Sequence, residues 1–177
     1  MSVDLAWHPW TADVTEALAS HVRGLLGSGD VETGRLCPRC GSAEHGRPWV
    51  RHRSRSVPVS LSRCRPHLLT AVGTAGPVGV DVESVAAVDR GWDPALVLAP
   101  GERADTPEDR GMLWARKEAV LKAYAVGLAD PMCRLVLADF PGELDDVPAP
   151  PGYVAAVAEL REGREGRSGT ATRRTAR

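Results

Sequence analysis

Two lysines on one predicted helix are the most informative cations of this chain. Of its 22 lysines and arginines only Lys117 and Lys122 are lysines, and they lie five residues apart. Lysine carries a compact ammonium on a thin stem, which suits a crowded phosphate or metal site better than the planar fork of arginine. We therefore expect chemistry on this helix. The alternative is an ordinary Glu118–Lys122 pair worth about 0.2–0.5 kcal/mol of helix stability, which explains the spacing but not the choice of lysine.

A short acidic strand is the second informative segment. In residues 77–83, an extended backbone turns three valines to one face and Gly79, Asp81 and Glu83 to the other. The two carboxylates would lie about 7 Å apart at Cα and repel each other unless a cation intervenes. Mg²⁺ fits, since it binds through one or two carboxylates together with substrate phosphates. The alternative is a half-buried strand with a solvated acidic face, and this segment alone leaves both interpretations open.

The predicted helix supplies a complementary stripe. Trp114, Glu118, Leu121, Lys122 and Ala125 follow one another at spacings that place them on one side of a helix. Glu118 and Lys122 therefore share a side with two large apolar residues, and we expect them to be partly buried.

The remaining periodicity predicts an α+β fold. Helices are expected at residues 13–26 and 111–126, with a short helix starting near residue 99. Strands are expected at residues 2–7, 57–61, 67–73, 77–83, 133–138 and 152–160, and a turn-rich segment at residues 37–48.

Composition narrows the class of protein. The chain of 177 residues is 43% apolar, which is enough for a normal core, and its net charge of −1 gives no bulk attraction to nucleic acid. The segment 161–177 has six arginines against two glutamates and few apolar side chains, so we predict a disordered basic tail. No apolar run is long enough to cross a bilayer. We expect a cytoplasmic monomer without membrane or nucleic-acid partners.

The cysteines are predicted to be thiols or metal ligands, as is usual for a cytoplasmic protein. Cys37 and Cys40, followed by His45, offer three ligands, whereas a structural zinc site uses four. Cys64 or Cys133 would have to supply the fourth. Because a second Cys or His pair is missing from the sequence, we favour a turn with reduced thiols over a zinc site.

Two motifs together resemble the signature of the 4′-phosphopantetheinyl transferase superfamily. They are Gly-Val-Asp-Val-Glu at residues 79–83 and, about thirty residues later, Trp-Ala-Arg-Lys-Glu-Ala-Val-Leu-Lys at residues 114–122. Residues 44–48, 59–63 and 152–157 are similar to three weaker elements of the family. The likeness is greatest to its two-repeat, surfactin-synthetase-activating type, which serves polyketide and nonribosomal peptide carrier proteins.

The resemblance implies a fold and a reaction. The fold would be two pseudo-repeated lobes, each an antiparallel sheet packed on a long helix, with a shortened N-terminal lobe at 1–76 and a C-terminal lobe at 77–160. The reaction would transfer the phosphopantetheine arm of coenzyme A to a serine of an acyl or peptidyl carrier protein, with Mg²⁺ as cofactor and 3′,5′-adenosine bisphosphate as leaving group. The alternative is a degenerate homologue that binds coenzyme A or a carrier protein without efficient transfer, because an arginine-rich segment of the N-terminal lobe is missing.

The resemblance also implies roles for individual residues. Glu118 would either complete the metal site or accept the serine proton, and Arg63 stands where the family usually has histidine. The implied catalytic residues are Glu118, Lys122 and Lys117; the implied metal ligands are Asp81, Glu83 and Glu118; the implied coenzyme A contacts are Gly46, Arg47, Pro48, Ser62, Arg63, Lys117 and Lys122.

Overall fold

The computed structural model describes residues 2–37, 39–126 and 131–161. Mixed helices and antiparallel sheets confirm the predicted α+β class. The basic tail predicted at 161–177 lies, apart from Arg161, outside the described residues. Within the described ranges, no helix is both long and apolar enough to span a membrane.

The N-terminal half contains two three-stranded sheets and one helix. The first sheet has the order β1-β6-β5 and the second the order β2-β3-β4. Helix α1 starts at its N-cap Asp13, whose side chain accepts a hydrogen bond from the Glu16 amide, and it buries Leu18 and Val22 between the two sheets. The elements are β1 Val3–Pro9, α1 Val14–Leu26, β2 Val31–Leu36, β3 Arg47–His52, β4 Arg55–Val57, β5 Val59–Cys64 and β6 His67–Gly73.

The C-terminal half contains one sheet, of order β7-β9-β8, covered by the long helix α4. A capping box starts α4: the Thr106 side chain accepts from the Asp109 amide and the Asp109 carboxylate accepts from the Thr106 amide. The elements are β7 Val78–Ser84, α2 Val85–Arg90, α3 Pro94–Val97, α4 Pro107–Ala123, β8 Gly142–Val147 and β9 Tyr153–Leu160. The two halves thus differ in their number of sheets, and the pseudo-repeat stays a prediction.

Gly79 sets the distance between β7 and α4. A Cβ atom at Gly79 would overlap the backbone oxygen of Ala119 and lie 2.5 Å from the amide nitrogen of Ala123. Only glycine therefore allows this close approach of strand to helix. Gly79, Asp81 and Glu83 follow one another at every second position and therefore lie on the same face of β7, which is turned towards α4. The interpretation of a solvated acidic face is therefore wrong.

Two predicted elements of the C-terminal half are corrected. Residues 133–138 are not a strand: they contain parts of two 3₁₀ turns, Met132–Arg134 and Leu137–Asp139, with residues 135 and 136 between them, and the strand follows at Gly142–Val147. The short helix expected near residue 99 lies earlier, at Pro94–Val97. Helix α4 begins four residues before the predicted start, at Pro107, because Thr106 and Asp109 provide the capping box.

Candidate functional site

Asp81 forms the centre of a buried polar cluster at the junction of β7, β5 and α4. Its side chain is 3% exposed, and its Oδ1 accepts hydrogen bonds from Lys122 Nζ at 2.6 Å and from Ser62 Oγ at 2.7 Å. Lys122 Nζ also donates to the Val80 carbonyl at 3.0 Å. The second oxygen, Oδ2, is buried and has no hydrogen-bond partner among the described residues. A buried carboxylate oxygen without a partner is costly, which points to a ligand or ion as its missing partner.

Two serines of β5 hold β7 in place. Ser60 and Ser62 lie two residues apart and so face the same way, towards β7. Ser60 Oγ accepts a hydrogen bond from the Val80 amide at 3.1 Å, while Ser62 donates to Asp81. The edges of two sheets are thereby joined through side chains. Ser60 was missed by the sequence analysis, and its spacing of two from Ser62 was the signal that could have identified it.

Glu83 and Glu118 complete an acidic group beside Asp81. Burial raises the pKa of Glu83 to about 7, the negative charges of Asp81 and Glu118 add to this increase, and Lys122 opposes it. Burial likewise raises the pKa of Glu118, with Asp81 adding to the shift and Lys122 again opposing it. Perturbed carboxylates of this kind are typical of functional sites.

This acidic group has the chemistry of a site for a hard divalent cation. When ionised, Asp81, Glu83 and Glu118 carry three negative charges, while Lys122 supplies one positive charge. The all-oxygen donor set suits Mg²⁺, and the unpartnered Oδ2 of Asp81 offers it a ligand. The oxygen atoms of the three carboxylates do not all lie within 4.8 Å of one another, so a shared ion would require side-chain movement.

Lys117 does not join this group. It lies about 140° around α4 from Lys122, since five residues at 3.6 per turn exceed one full turn. Its ammonium is fully buried, donates to the carbonyls of Val97 at 2.7 Å and Met132 at 3.0 Å, and pairs with Glu102 Oε2 at 2.5 Å. Three oxygen partners satisfy all three donors of an ammonium. The predicted contact of Lys117 with pyrophosphate does not fit this geometry, and a structural role does. Glu102 was not identified from the sequence.

Lys122 shares one cleft with Gly46 and with Arg47 and Pro48 at the start of β3. The cleft has a volume of about 360 Å³, and its further lining includes Ser60 and Leu61 of β5. Two larger cavities, of about 500 and 610 Å³, do not reach Lys122 or the carboxylates. The smaller cleft therefore borders the charged cluster, through Lys122.

Ser62 and Arg63 point in different directions. The hydroxyl of Ser62 is used by Asp81, whereas Arg63 lies on the opposite side of β5 and is exposed. The guanidinium of Arg63 donates to the Ala12 carbonyl at 2.8 Å and lies 5.1 Å from the ring centre of Trp10. The two residues therefore do not form one phosphate-binding pair in this arrangement.

No curated protein matches the chain. The family model described as 4′-phosphopantetheinyl transferase superfamily matches residues 77–154. This range holds the acidic strand β7 and the helix α4, and with them Asp81, Glu83, Glu118 and Lys122. Over residues 77–154, the chain is thus similar to the 4′-phosphopantetheinyl transferase superfamily.

Proposed function

We propose that the protein transfers the 4′-phosphopantetheine arm of coenzyme A to a serine of an acyl or peptidyl carrier protein, with Mg²⁺ as cofactor. The observation that carries this proposal is the environment of Asp81. This carboxylate is buried between Ser62 and Lys122 with one oxygen unpartnered, next to two further carboxylates, and it lies within the range matched by the family model.

Asp81, Glu83 and Glu118 would hold the metal ion. When bound, Mg²⁺ supplies positive charge that neutralises a pyrophosphate, which is a main contribution to phosphoryl-transfer catalysis. The three carboxylates offer oxygen ligands, and water and substrate phosphates would fill the remaining positions, as is usual for Mg²⁺. Ser60 and Ser62 act as positioning residues, because they fix β7 and orient Asp81.

Lys122 would neutralise the phosphate groups. Its side chain is 28% exposed and lines the cleft, so the ammonium can reach a ligand there while it remains close to Asp81. Fixed positive charge directed at the oxygens of the transferred group stabilises the transition state more than the ground state. The exposed Arg47, in the same cleft, would contact the nucleotide of coenzyme A together with Gly46 and Pro48.

Alternatively, Glu118 would accept the proton of the carrier serine instead of holding the ion. The serine oxygen forms a bond to the β-phosphorus of coenzyme A, the bond from this phosphorus to the bridging oxygen breaks, and 3′,5′-adenosine bisphosphate leaves with the electron pair. The raised pKa of Glu118 brings this carboxylate closer to the pH of the cell, which suits a general base. A base and a metal ligand are alternative roles for Glu118.

The test is an intact-mass assay with coenzyme A, Mg²⁺ and a panel of apo carrier proteins. We expect the mass of one phosphopantetheine to be added to a carrier, and no addition with Asp81→Ala. The matched control is Asp145→Ala, at an exposed aspartate of β8, which should transfer like the wild type. A wild type that binds coenzyme A but modifies no carrier would favour the degenerate homologue.

A further inference from the structure

The loop between β2 and β3 brings two cysteines and a histidine together. The sulfurs of Cys37 and Cys40 and a ring nitrogen of His45 all lie within 4.8 Å of one another, and Cys40 Sγ lies 3.4 Å from His45 Nε2. Among the described residues, Cys37, Cys40 and His45 form the group of three or more Cys, His, Asp or Glu side chains whose ligand atoms lie this close together. The sequence offered these ligands, but their convergence is a property of the fold.

The separation of Cys40 and His45 agrees with that of two ligands around a tetrahedral zinc ion. Zn–S bonds of about 2.3 Å and Zn–N bonds of about 2.0–2.1 Å place a sulfur and a nitrogen ligand about 3.6 Å apart, and two sulfurs about 3.8 Å apart. The observed separation of Cys40 and His45 is close to the first value. Thiolate and imidazole are also the ligand types that zinc selects over Mg²⁺ or Ca²⁺.

Two backbone hydrogen bonds hold the first part of the loop at Cys37. The Gly41 amide donates to the Cys37 carbonyl at 2.8 Å, and the Cys37 amide donates to the Ser42 carbonyl at 2.9 Å. These two hydrogen bonds bring Gly41 and Ser42 back to Cys37, which keeps Cys40 close to Cys37.

Gly46 closes the loop. Its φ of +102° is in the left-handed region, and a Cβ atom there would lie 2.5 Å from Cys37 Cα. The next residue, Arg47, pairs with Leu36 at the last register position of β2 and β3. The end of the loop is thus held directly against Cys37. Since Cys40 and His45 are both exposed, a metal ion has free access from solvent.

We propose that Cys37, Cys40 and His45 bind one Zn²⁺, with the fourth coordination position taken by water or an external ligand. Three protein ligands and one open position are an established zinc arrangement. Neither Cys64 nor Cys133 belongs to the group, so neither supplies the fourth ligand in this arrangement. This proposal takes up the zinc site that the sequence analysis ranked below a turn with reduced thiols.

The bound ion would also position the nucleotide contact. Gly46 and Arg47 follow His45 directly and line the cleft of Lys122, and the Gly46 carbonyl accepts from Arg35 Nη1 at 3.1 Å. A metal ion bound by Cys37, Cys40 and His45 would restrict the motion of the loop between β2 and β3, which ends with Gly46 and leads into Arg47. This consequence rests on the proposed function, whereas the zinc site itself does not.

The first experiment measures metal directly. The full chain is equilibrated with a small excess of Zn²⁺ under reducing conditions, freed of unbound ion, and analysed for zinc per chain; Co²⁺ replaces zinc in a parallel sample. We expect one zinc per chain and the visible bands of tetrahedral Co²⁺ with thiolate ligands. Cys40→Ser and His45→Ala should each weaken binding at least about tenfold, since each removes a ligand. The control Cys133→Ser, at a cysteine outside the group, should bind as the wild type does.

Three results would overturn the assignment: wild-type protein with no retained zinc, octahedral cobalt spectra without thiolate bands, or undiminished binding in a Cys37→Ser/Cys40→Ser variant. None of these readouts involves transfer activity. A protein that binds zinc but modifies no carrier would refute the proposed function and leave the zinc site standing. The positioning role is tested by the KM for coenzyme A of zinc-loaded and chelator-treated enzyme, which should rise several-fold on zinc removal. An unchanged KM would refute that role.

Discussion

Lys117 offers the sharpest test of the structure, because the family resemblance and the observed geometry give it different roles. Replacing it in Lys117→Met keeps a long flexible side chain in the core and removes the charge. The loss leaves the Glu102 carboxylate, whose side chain is only 17% exposed, without its cation, and it leaves the carbonyls of Val97 and Met132 without this donor. The variant should therefore be destabilised without leaving a large cavity.

The expected magnitude follows from the burial of the pair. Removing one partner of a buried ion pair typically costs about 3–5 kcal/mol, which already includes much of the penalty for the stranded charge. Against a total stability of about 5–15 kcal/mol for a domain, this is a large fraction. With a urea m-value of about 2 kcal/mol/M, the unfolding midpoint should fall by about 2 M.

The assay is urea unfolding followed by circular dichroism, with Glu102→Gln and the double variant measured alongside. Because the double variant removes both charges, it should recover part of the stability that Lys117→Met loses, giving a favourable coupling free energy of at least about 1 kcal/mol. An unfolding midpoint equal to that of the wild type would refute the buried pair. If such a stable variant also lost phosphopantetheine transfer, a chemical role for Lys117 would replace the structural one.

Three further predictions concern the junction of β7 and α4. Lys122→Arg should fold normally but transfer on the order of 10²-fold more slowly, because the wider guanidinium would displace the phosphate from its position beside the Lys122 ammonium, which contacts Asp81 Oδ1 and the Val80 carbonyl; full activity in an intact-mass assay would contradict this. Gly79→Ala should lower the free energy of unfolding by about 1–3 kcal/mol or more, since the new Cβ meets backbone atoms of α4, whereas Gly24→Ala in α1, where a Cβ meets nothing within 4 Å, should be neutral or stabilising. Denaturant unfolding of both variants checks the difference, and equal effects would refute the close approach. Glu83 has a folded-state pKa of about 7, above its ordinary value of 4.5, so the folded protein favours its protonated form. The stability that this protonation contributes is fully present below about pH 4.5 and is lost as the pH rises through about 7. Mg²⁺ binds the ionised form and should raise the melting temperature more at about pH 7.5 than at about pH 5; an equal rise at both values would speak against carboxylate ligands.

Local periodicity was enough to identify the elements that carry the chemistry. Strand β7 and helix α4 were predicted because alternation over seven residues and a stripe at helical spacing are strong signals of their kind. These periods alone place Asp81 and Glu83 on one strand face. They also place Glu118 and Lys122 on one helix face. The sequence therefore determined which side chains each element presents, and with it the α+β class.

Strand pairing and burial were decided by the tertiary structure. Residues 133–138 have the composition of a strand, but the partner positions on β9 are taken by Gly142–Val147, and the earlier segment turns instead. Lys117 and Lys122 look equivalent in the sequence. Only the packing of α4 shows that one ammonium is enclosed by Glu102 and two carbonyls while the other borders a cleft.

Side-chain clusters between distant or irregular segments depended on the fold in the same way. Ser62 and Asp81 meet because β5 and β7 are the adjoining edges of two different sheets, a contact that no local period encodes. The convergence of Cys37, Cys40 and His45 requires a loop closed by Gly46 at positive φ against the backbone of Cys37. The sequence by itself determined the donor types, because these are properties of single residues. Their distances were decided by the tertiary structure, because a distance between separated residues depends on every turn and packing contact that lies between them.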